Sequence, residues 1–312
     1  MNYMTVQEAA QKWGVSERLV RRYCAQNRIP DLLQLDGIWQ IPADTHKPIQ
    51  KAKEIKPAPP LLQKLLRQRD KQRLNSLYMY LQTNMVYSNG RMASNPLTRT
   101  QIELLYTNDH ISTNGKSLKV NDIIEARNHL LCVDMILDNA MKPLTQTLIQ
   151  KMQALLLCET GRHKRYVPVS QGFRSKTAPS KFGATTPPVE IPTAINQLFK
   201  RYEAQKVIGL HEILDLHVQF ERIRPFEDCN GRIGRLLMLK ECLRHEVMPF
   251  VIDDKRRKAY YYGLQCWDEN PGILTEVCTE AQARFEAQIA LQKLMEAHAR
   301  MTRKQRKEEH LK

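Results

Sequence analysis

The chain has 312 residues, enough for one full core and a small additional unit. Forty-eight Lys and Arg against 33 Asp and Glu give a net charge of +15, which favours acidic partners, nucleic acid and nucleotide among them. Seven cysteines without a C-x-x-C argue against a disulfide framework. With no signal peptide and no apolar run of membrane-spanning length, they set the expectation of a cytoplasmic protein with no membrane partner.

Residues 1–46 read as a separate unit. Thr5-Val6-Gln7-Glu8 has the form of a capping box opening a short helix through Trp13. Gly14-Val15-Ser16 is the turn, and Ser16 can cap a second helix running to about Asn27. Leu19, Val20 and Tyr23 pack that helix inward and leave Arg18, Arg21 and Arg22 on its outer side. Leu32 to Ile41, with Asp36-Gly37 at its middle, reads as a two-stranded wing. This pattern resembles the helix-turn-helix of excisionase and MerR-like proteins. The resemblance implies DNA as a partner, with the second helix in the major groove and Arg18, Arg21 and Arg22 on phosphate. A small protein-docking module is the alternative.

Residues 47–60 form a Pro- and Lys-rich linker. Helical periodicity dominates 61–165 and 190–295, so the main domain is expected over 61–290 as nearly all α, with 291–312 a charged tail. Thr98-Arg99-Thr100-Gln101 is a second capping box. Asn114-Gly115-Lys116-Ser117 looks like the end of a phosphate loop, but its required Gly is His110, and the motif is rejected. His211-Glu212 lacks the second His of a zinc-protease helix, which comes at 217 instead of 215.

The most informative run is residues 224–235, RPFEDCNGRIGR. An apolar helix from Ile208 should stop at Ile223, because proline disfavours a helical residue before it. Asn230-Gly231 is a turn signal, and Arg232 to Glu246 is helical again with an apolar face at Ile233, Leu236, Leu237, Leu239 and Leu243. A turn feeding a helix start exposes unpaired N–H groups at the positive end of the helix dipole, which suits an anion. Arg232 and Arg235 share a face and can fork onto phosphate, and Asp228 is a hard oxygen ligand for Mg²⁺. A polar helix–turn–helix corner would have the same spacing.

The run resembles the Fic signature H-P-F-x-(D/E)-G-N-(G/K)-R-x-x-R and matches seven of its nine specified letters. In Fic enzymes this loop holds ATP and Mg²⁺, and AMP passes to a Ser, Thr or Tyr hydroxyl of a target protein. The resemblance implies a nucleotide site at Asp228, Cys229, Asn230, Gly231, Arg232, Ile233, Gly234 and Arg235, with Asp228 as the metal ligand and Pro225 and Phe226 fixing the loop. The two departures are Arg224, where the family has its catalytic His, and Cys229, where it has Gly. A guanidinium stays protonated and offers no lone pair, so Arg224 cannot act as general base. That base is typically worth roughly 10²–10⁴-fold. His217 lies two turns back, about 10 Å along the axis, and reads as a packing residue.

The likeness extends beyond the loop. Met248 to Arg257 followed by Tyr260-Tyr261 resembles the segment closing the adenine pocket, with both tyrosines candidates to flank the base or to pack the core. Gly172-Phe173-Arg174 and Lys181 to Pro188 resemble the family's flap, which implies a small β-hairpin within Val167–Pro188. Tyr87 to Leu97 resembles the inhibitory helix, (S/T)-x-x-x-E-(G/N), with Asn89 at the Ser/Thr position and Ala93 at the inhibitory Glu. Arg235 is thereby expected to lack the carboxylate that restrains it in relatives. The resulting expectation is a mainly α protein: a helical Fic domain with a hairpin flap and an N-terminal winged helix-turn-helix. It binds ATP and Mg²⁺ and is crippled for adenylyl transfer. The alternatives are an active adenylyltransferase using another base, and a DNA-binding regulator whose Fic domain is a scaffold.

Overall fold

A computed structural model describes residues 2–26, 28–48, 57–113, 115, 117–160, 172–178, 183 and 185–309. The chain divides into two compact units, Met1–Pro57 and Ala58–Lys312.

In the first unit a short strand β1 (Tyr3–Met4) leads into α1 (Val6–Trp13) and α2 (Glu17–Ala25). Thr5 accepts from the Glu8 amide and Glu8 reaches back to the Thr5 amide, which closes the capping box. Gly14 ends α1 at φ 63°, a conformation costly for any residue with a Cβ. Ser16 stands at the N-cap of α2 but makes no side-chain cap bond, and the helix ends at Ala25, two residues short of the sequence estimate. β2 (Leu33–Leu35) and β3 (Ile38–Pro42) pair antiparallel with Leu35 opposite Ile38. Asp36 and Gly37, both at positive φ, make the turn. β1 adds to the other edge of β3, a third strand that two residues were too few to announce. Val20, Tyr23 and Cys24 join Trp13, Ile29 and Ile41 in this unit's core, while Leu19 is only partly buried.

The second unit is helical. Its elements are α3 (Pro60–Asp70), α4 (Leu77–Met92), α5 (Arg99–Asn108), α6 (Val120–Asp138), α7 (Gln146–Leu157), α8 (Ile191–Glu203), α9 (Leu210–Ile223), α10 (Asn230–Arg244), α11 (Arg257–Gln265) and α12 (Gly272–Glu309). Thr98 and Gln101 form the expected reciprocal cap of α5. α10 is the axle: from Ile233 to Leu243 every residue is buried, against α9 on one side and α6 and α7 on others. A helix enclosed on all sides cannot be amphipathic, so the charged residues in this stretch, Arg235, Lys240 and Glu241, find partners inside. Lys240 donates to Glu241 at 2.7 Å and to the carbonyls of Ala140 and Lys142.

α12 runs without a break past residue 290, where the sequence placed the start of a tail. Gln292 is buried and donates to the Asn75 carbonyl at 2.8 Å, and Glu296 lies 3.3 Å from Arg73. One face of this stretch, through Gln292 and Glu296, is therefore docked on the body. The flap region carries no strand among its described residues, 172–178, 183 and 185–187; the rest of the expected hairpin lies outside the described residues. Among the described residues no helix is long and apolar enough to cross a membrane.

Candidate nucleotide site

The run that opened the functional question lies between α9 and α10. α9 stops at Ile223 as the following Pro225 requires, and Arg224 caps it in the left-handed region at φ 50°, ψ 63°. The loop turns through Pro225–Asp228 and re-enters helix after Cys229, which is also left-handed at φ 71°. This is the position where the family pattern has Gly, and the conformation gives the reason: a side chain there is strained by about 1–2 kcal/mol. Asn230 ties the loop shut, accepting from the Phe226 amide at 3.0 Å and donating to the Phe226 carbonyl at 2.7 Å. Asn230-Gly231, which the sequence suggested as a turn, is instead the first part of α10; the turn is the preceding segment. Phe226 is buried in the core against Phe173.

Arg174 clamps the other side. Its amide donates to the Pro225 carbonyl at 2.9 Å, and its guanidinium to the carbonyls of Arg224 at 2.7 Å, Lys176 at 2.7 Å and Thr186 at 2.5 Å. The bond to Arg224 takes up the C-cap carbonyl of α9, and those to Lys176 and Thr186 tie the segment after residue 172 to the loop. Burial, then the nearby Arg224 charge, lowers the Arg174 pKa.

The three arginines of the run have different surroundings. Arg224 is half-buried, and its Nε has no hydrogen-bond partner among the described residues. Arg232 is buried, donating to Glu125 of α6 at 2.6 Å and to Cys229 Sγ at 2.9 Å. Arg235 is buried too; its Nε donates to Asn89 of α4 at 2.5 Å and its Nη1 to Tyr260 at 3.4 Å. Asn89 in turn meets His129 of α6 at 3.2 Å. The space left between α4, α6 and α10 beside Arg232 is about 10 Å³, room for a single water.

Several expectations change here. Arg232 and Arg235 are engaged inside the protein, not presented outward. Arg235 does have a partner on α4, the neutral Asn89 at the family's Ser/Thr position, while Ala93 at the Glu position is the exposed C-cap of that helix. Tyr260 is 0 % exposed and hydrogen-bonds His217 at 2.6 Å, so it is core; Tyr261 is half-buried and stays accessible. Ile233 is core, and Gly234 faces His217 so closely that a Cβ would lie 2.6 Å from its Nδ1. The Asp228 side chain is 39 % exposed, 3.6 Å from Arg232, with one oxygen accepting from the Cys229 amide at 2.6 Å. Among the described residues no cluster of His, Cys, Asp and Glu forms a metal cage.

Sequence reasoning did not flag Glu125, His129 or Glu221. Glu221 lies one turn before Arg224, buried beneath Gly231, with Oε1 unbonded. Burial raises its pKa, with Arg235 and Arg224 pulling the other way. Burial first, and then the arginines, hold His129 and His217 down to about 3. Only the helical spacing of Glu221 and Arg224 could have hinted at this group; Glu125 and His129 carry no motif.

With this geometry in view, the comparisons place the class of the unit. Residues 143–242, from just before α7 to the last turn of α10, match the profile of the Fic/DOC family, and the helical unit carries a Fic domain. A curated relative, protein adenylyltransferase Fic of Drosophila grimshawi, is 26% identical over 194 residues, covering 59% of this chain and 38% of the relative. That of Drosophila virilis is 27% identical over 59% of this chain and 37% of its own length. The chain thus spans well under half the length of these relatives. A Fic domain containing signaling protein from Bacteroides thetaiotaomicron superposes with a TM-score of 0.58 at 21% identity, over 77% of this chain and 91% of that one. Fic-1 from C. elegans does so with a TM-score of 0.55 at 16% identity, over 75% and 72%.

Proposed function

We propose that the helical unit binds a nucleotide at the N-terminus of α10 and has lost adenylyl transfer because position 224 has no base. The observation that carries this reading is the state of the loop. It is held rigid by Asn230 and Arg174, and the first N–H groups of α10 have no acceptor within the helix. Arg224 lines the segment leading into it and, with those N–H groups, fits an anion, while the Asp228 carboxylate fits a cation that the anion carries. A bound ATP would supply the AMP group, and Mg²⁺ would neutralise its phosphates, with Asp228 the residue to hold the metal. Arg232 and Arg235 would reach phosphate only by releasing Glu125 and Asn89. Among the described residues nothing nearby replaces the missing base: His217 is closed in by Tyr260, and Glu221 is sealed beneath Gly231. The name of the curated relatives, protein adenylyltransferase, supports adenylyl transfer to protein as the reaction from which this site departs.

Calorimetry with ATP and Mg²⁺ should give a binding site in the unaltered chain, and α-phosphate-labelled ATP should label no protein. Arg224→His should restore labelling, because imidazole is mostly neutral at pH 7.5 and accepts the hydroxyl proton. Adding Cys229→Gly should raise it further by relieving the loop. Strong labelling by the unaltered chain, or none from an ATP-binding double variant, would overturn the reading.

A second reading concerns the first unit. α2 leaves Arg18, Arg21 and Arg22 exposed while its other face is buried, the layout of a recognition helix on duplex DNA. Arg21 is tied to Glu17 only by an exposed contact of 3.1 Å, which costs little to break. Filter binding with all three changed to Ala should lose affinity and flatten the salt slope by about 0.9 for each lost phosphate contact. Equal affinity in the triple variant removes DNA from this helix.

A further inference from the structure

Two cations of the first unit are left free, and both lie on one face of α2. Residues 1–46 hold five Lys and Arg: Lys12, Arg18, Arg21, Arg22 and Arg28. Lys12 donates to the Ala43 carbonyl at 2.5 Å, Arg28 lies over the Tyr23 ring at 5.0 Å, and Arg21 lies 3.1 Å from Glu17. Arg18 and Arg22 are exposed and have no side-chain partner among the described residues. Val20, Tyr23 and Cys24 form the buried face of the helix. At 3.6 residues per turn, Arg18 and Arg22 fall within about 30° of the point opposite that face, and Arg21 falls about 70° round from it, on the side of Glu17. A helix seated in the major groove turns its outermost side chains to the base edges and its flanks to the phosphates.

The spacing and the functional group say which bases. Arg18 and Arg22 are one turn apart, about 6 Å along the axis, close to two base-pair steps of about 3.4 Å. A guanidinium forks onto O6 and N7 of guanine, the one base whose major-groove edge offers two acceptors. α2 itself contains no Asn or Gln, the residues that pair with adenine; Gln26 is only its C-cap. The wing adds no rival cation, since residues 29–45 hold Asp31, Asp36 and Asp44 and neither Lys nor Arg. We propose that α2 selects duplex DNA carrying two guanines two base pairs apart, read by Arg18 and Arg22 in the major groove, with Arg21 on phosphate. This rests on the DNA reading of α2 and gives its three arginines separate roles.

Selection by the full chain from a library of random duplexes tests this, followed by filter binding to the enriched sequence. The enriched duplexes should share two guanines at that spacing. Replacing them with 7-deazaguanine, which lacks only the N7 acceptor, should weaken binding at least about tenfold, whereas inosine, which lacks only the minor-groove amino group, should leave it unchanged. Arg18→Ala and Arg22→Ala should each relax the selection at one of the two positions, with an unchanged circular dichroism spectrum. Arg21→Ala should weaken all duplexes alike and lower the salt slope by about 0.9. Enrichment of A·T pairs, indifference to 7-deazaguanine, or unrelaxed selection by Arg18→Ala and Arg22→Ala overturns the assignment and leaves DNA as the partner. A folded chain that binds no duplex even at low salt removes the DNA reading and this one with it.

Discussion

Two stretches of one motif, the lip at Arg224–Asp228 and the wall at Arg232–Arg235, present the same chemistry in opposite ways. The lip starts at the left-handed Arg224 and is partly open at Glu227 and Asp228, with a buried guanidinium Nε that finds no partner among the described residues. The wall is closed: Glu125 holds Arg232 and Asn89 holds Arg235, each at 2.5–2.6 Å. A phosphate arriving at the lip meets little competition, whereas one reaching the wall must displace a short buried bond. The difference teaches that carrying a phosphate-binding motif and presenting it are separate properties.

The largest expected effect that sharpens this contrast is on stability. Arg235→Ala removes the cation nearest a buried Glu221 and strands Asn89, for a cost of about 3 kcal/mol. Arg224→Ala should cost no more than about 0.5 kcal/mol while weakening ATP binding. Urea unfolding of the two variants measures both; equal losses would erase the distinction between lip and wall.

Acid should act on the wall next. His129 and His217 are held down to about 3, against about 6.5 in the unfolded chain. Between these values the unfolded chain binds the extra proton. Their stabilising contribution is therefore complete above about pH 6.5 and is lost as pH falls toward 3. From pH 7 to 5 the loss is about 2 kcal/mol for each histidine. Glu221 works in the opposite sense, because its raised pKa lets the folded state take up its proton first, and it trims the total. Urea midpoints at pH 7 and pH 5 give the sum, and His217→Gln should flatten the dependence. An unchanged midpoint would mean that neither imidazole is sealed.

The smallest effect concerns the neutral contact on α4. Asn89→Ala should free Arg235 and tighten ATP binding about five- to tenfold, while Asn89→Asp should weaken it by adding a charge to the competing bond. Calorimetry on the folded variants decides, and Asn89→Ala binding no better than the unaltered chain would show that Arg235 takes no part in holding nucleotide.

Local rules in the sequence determined a good deal of this protein. The capping boxes at Thr5 and Thr98, the stop of α9 before Pro225 and the turn at Asp36-Gly37 depend on neighbours a few residues away, and each forms as its pattern requires. Arg224's inability to accept a proton is a property of its functional group and needs no structure at all. Tertiary structure alone decided which polar groups would be buried together. Asn89 lies 146 residues from Arg235 and Glu125 lies 107 from Arg232, and no short pattern spans such separations. The same holds for Tyr260: an aromatic residue beside a basic run suits either a base-stacking wall or a core, and only packing against His217 and Arg235 made it core. Periodicity shows which positions on α12 are apolar, but contacts with Lys64 and Asn75 settled which face of its later turns lies against the body. Helix starts and stops cost local free energy and are written locally; the burial of a charge is settled by whatever the rest of the chain brings against it.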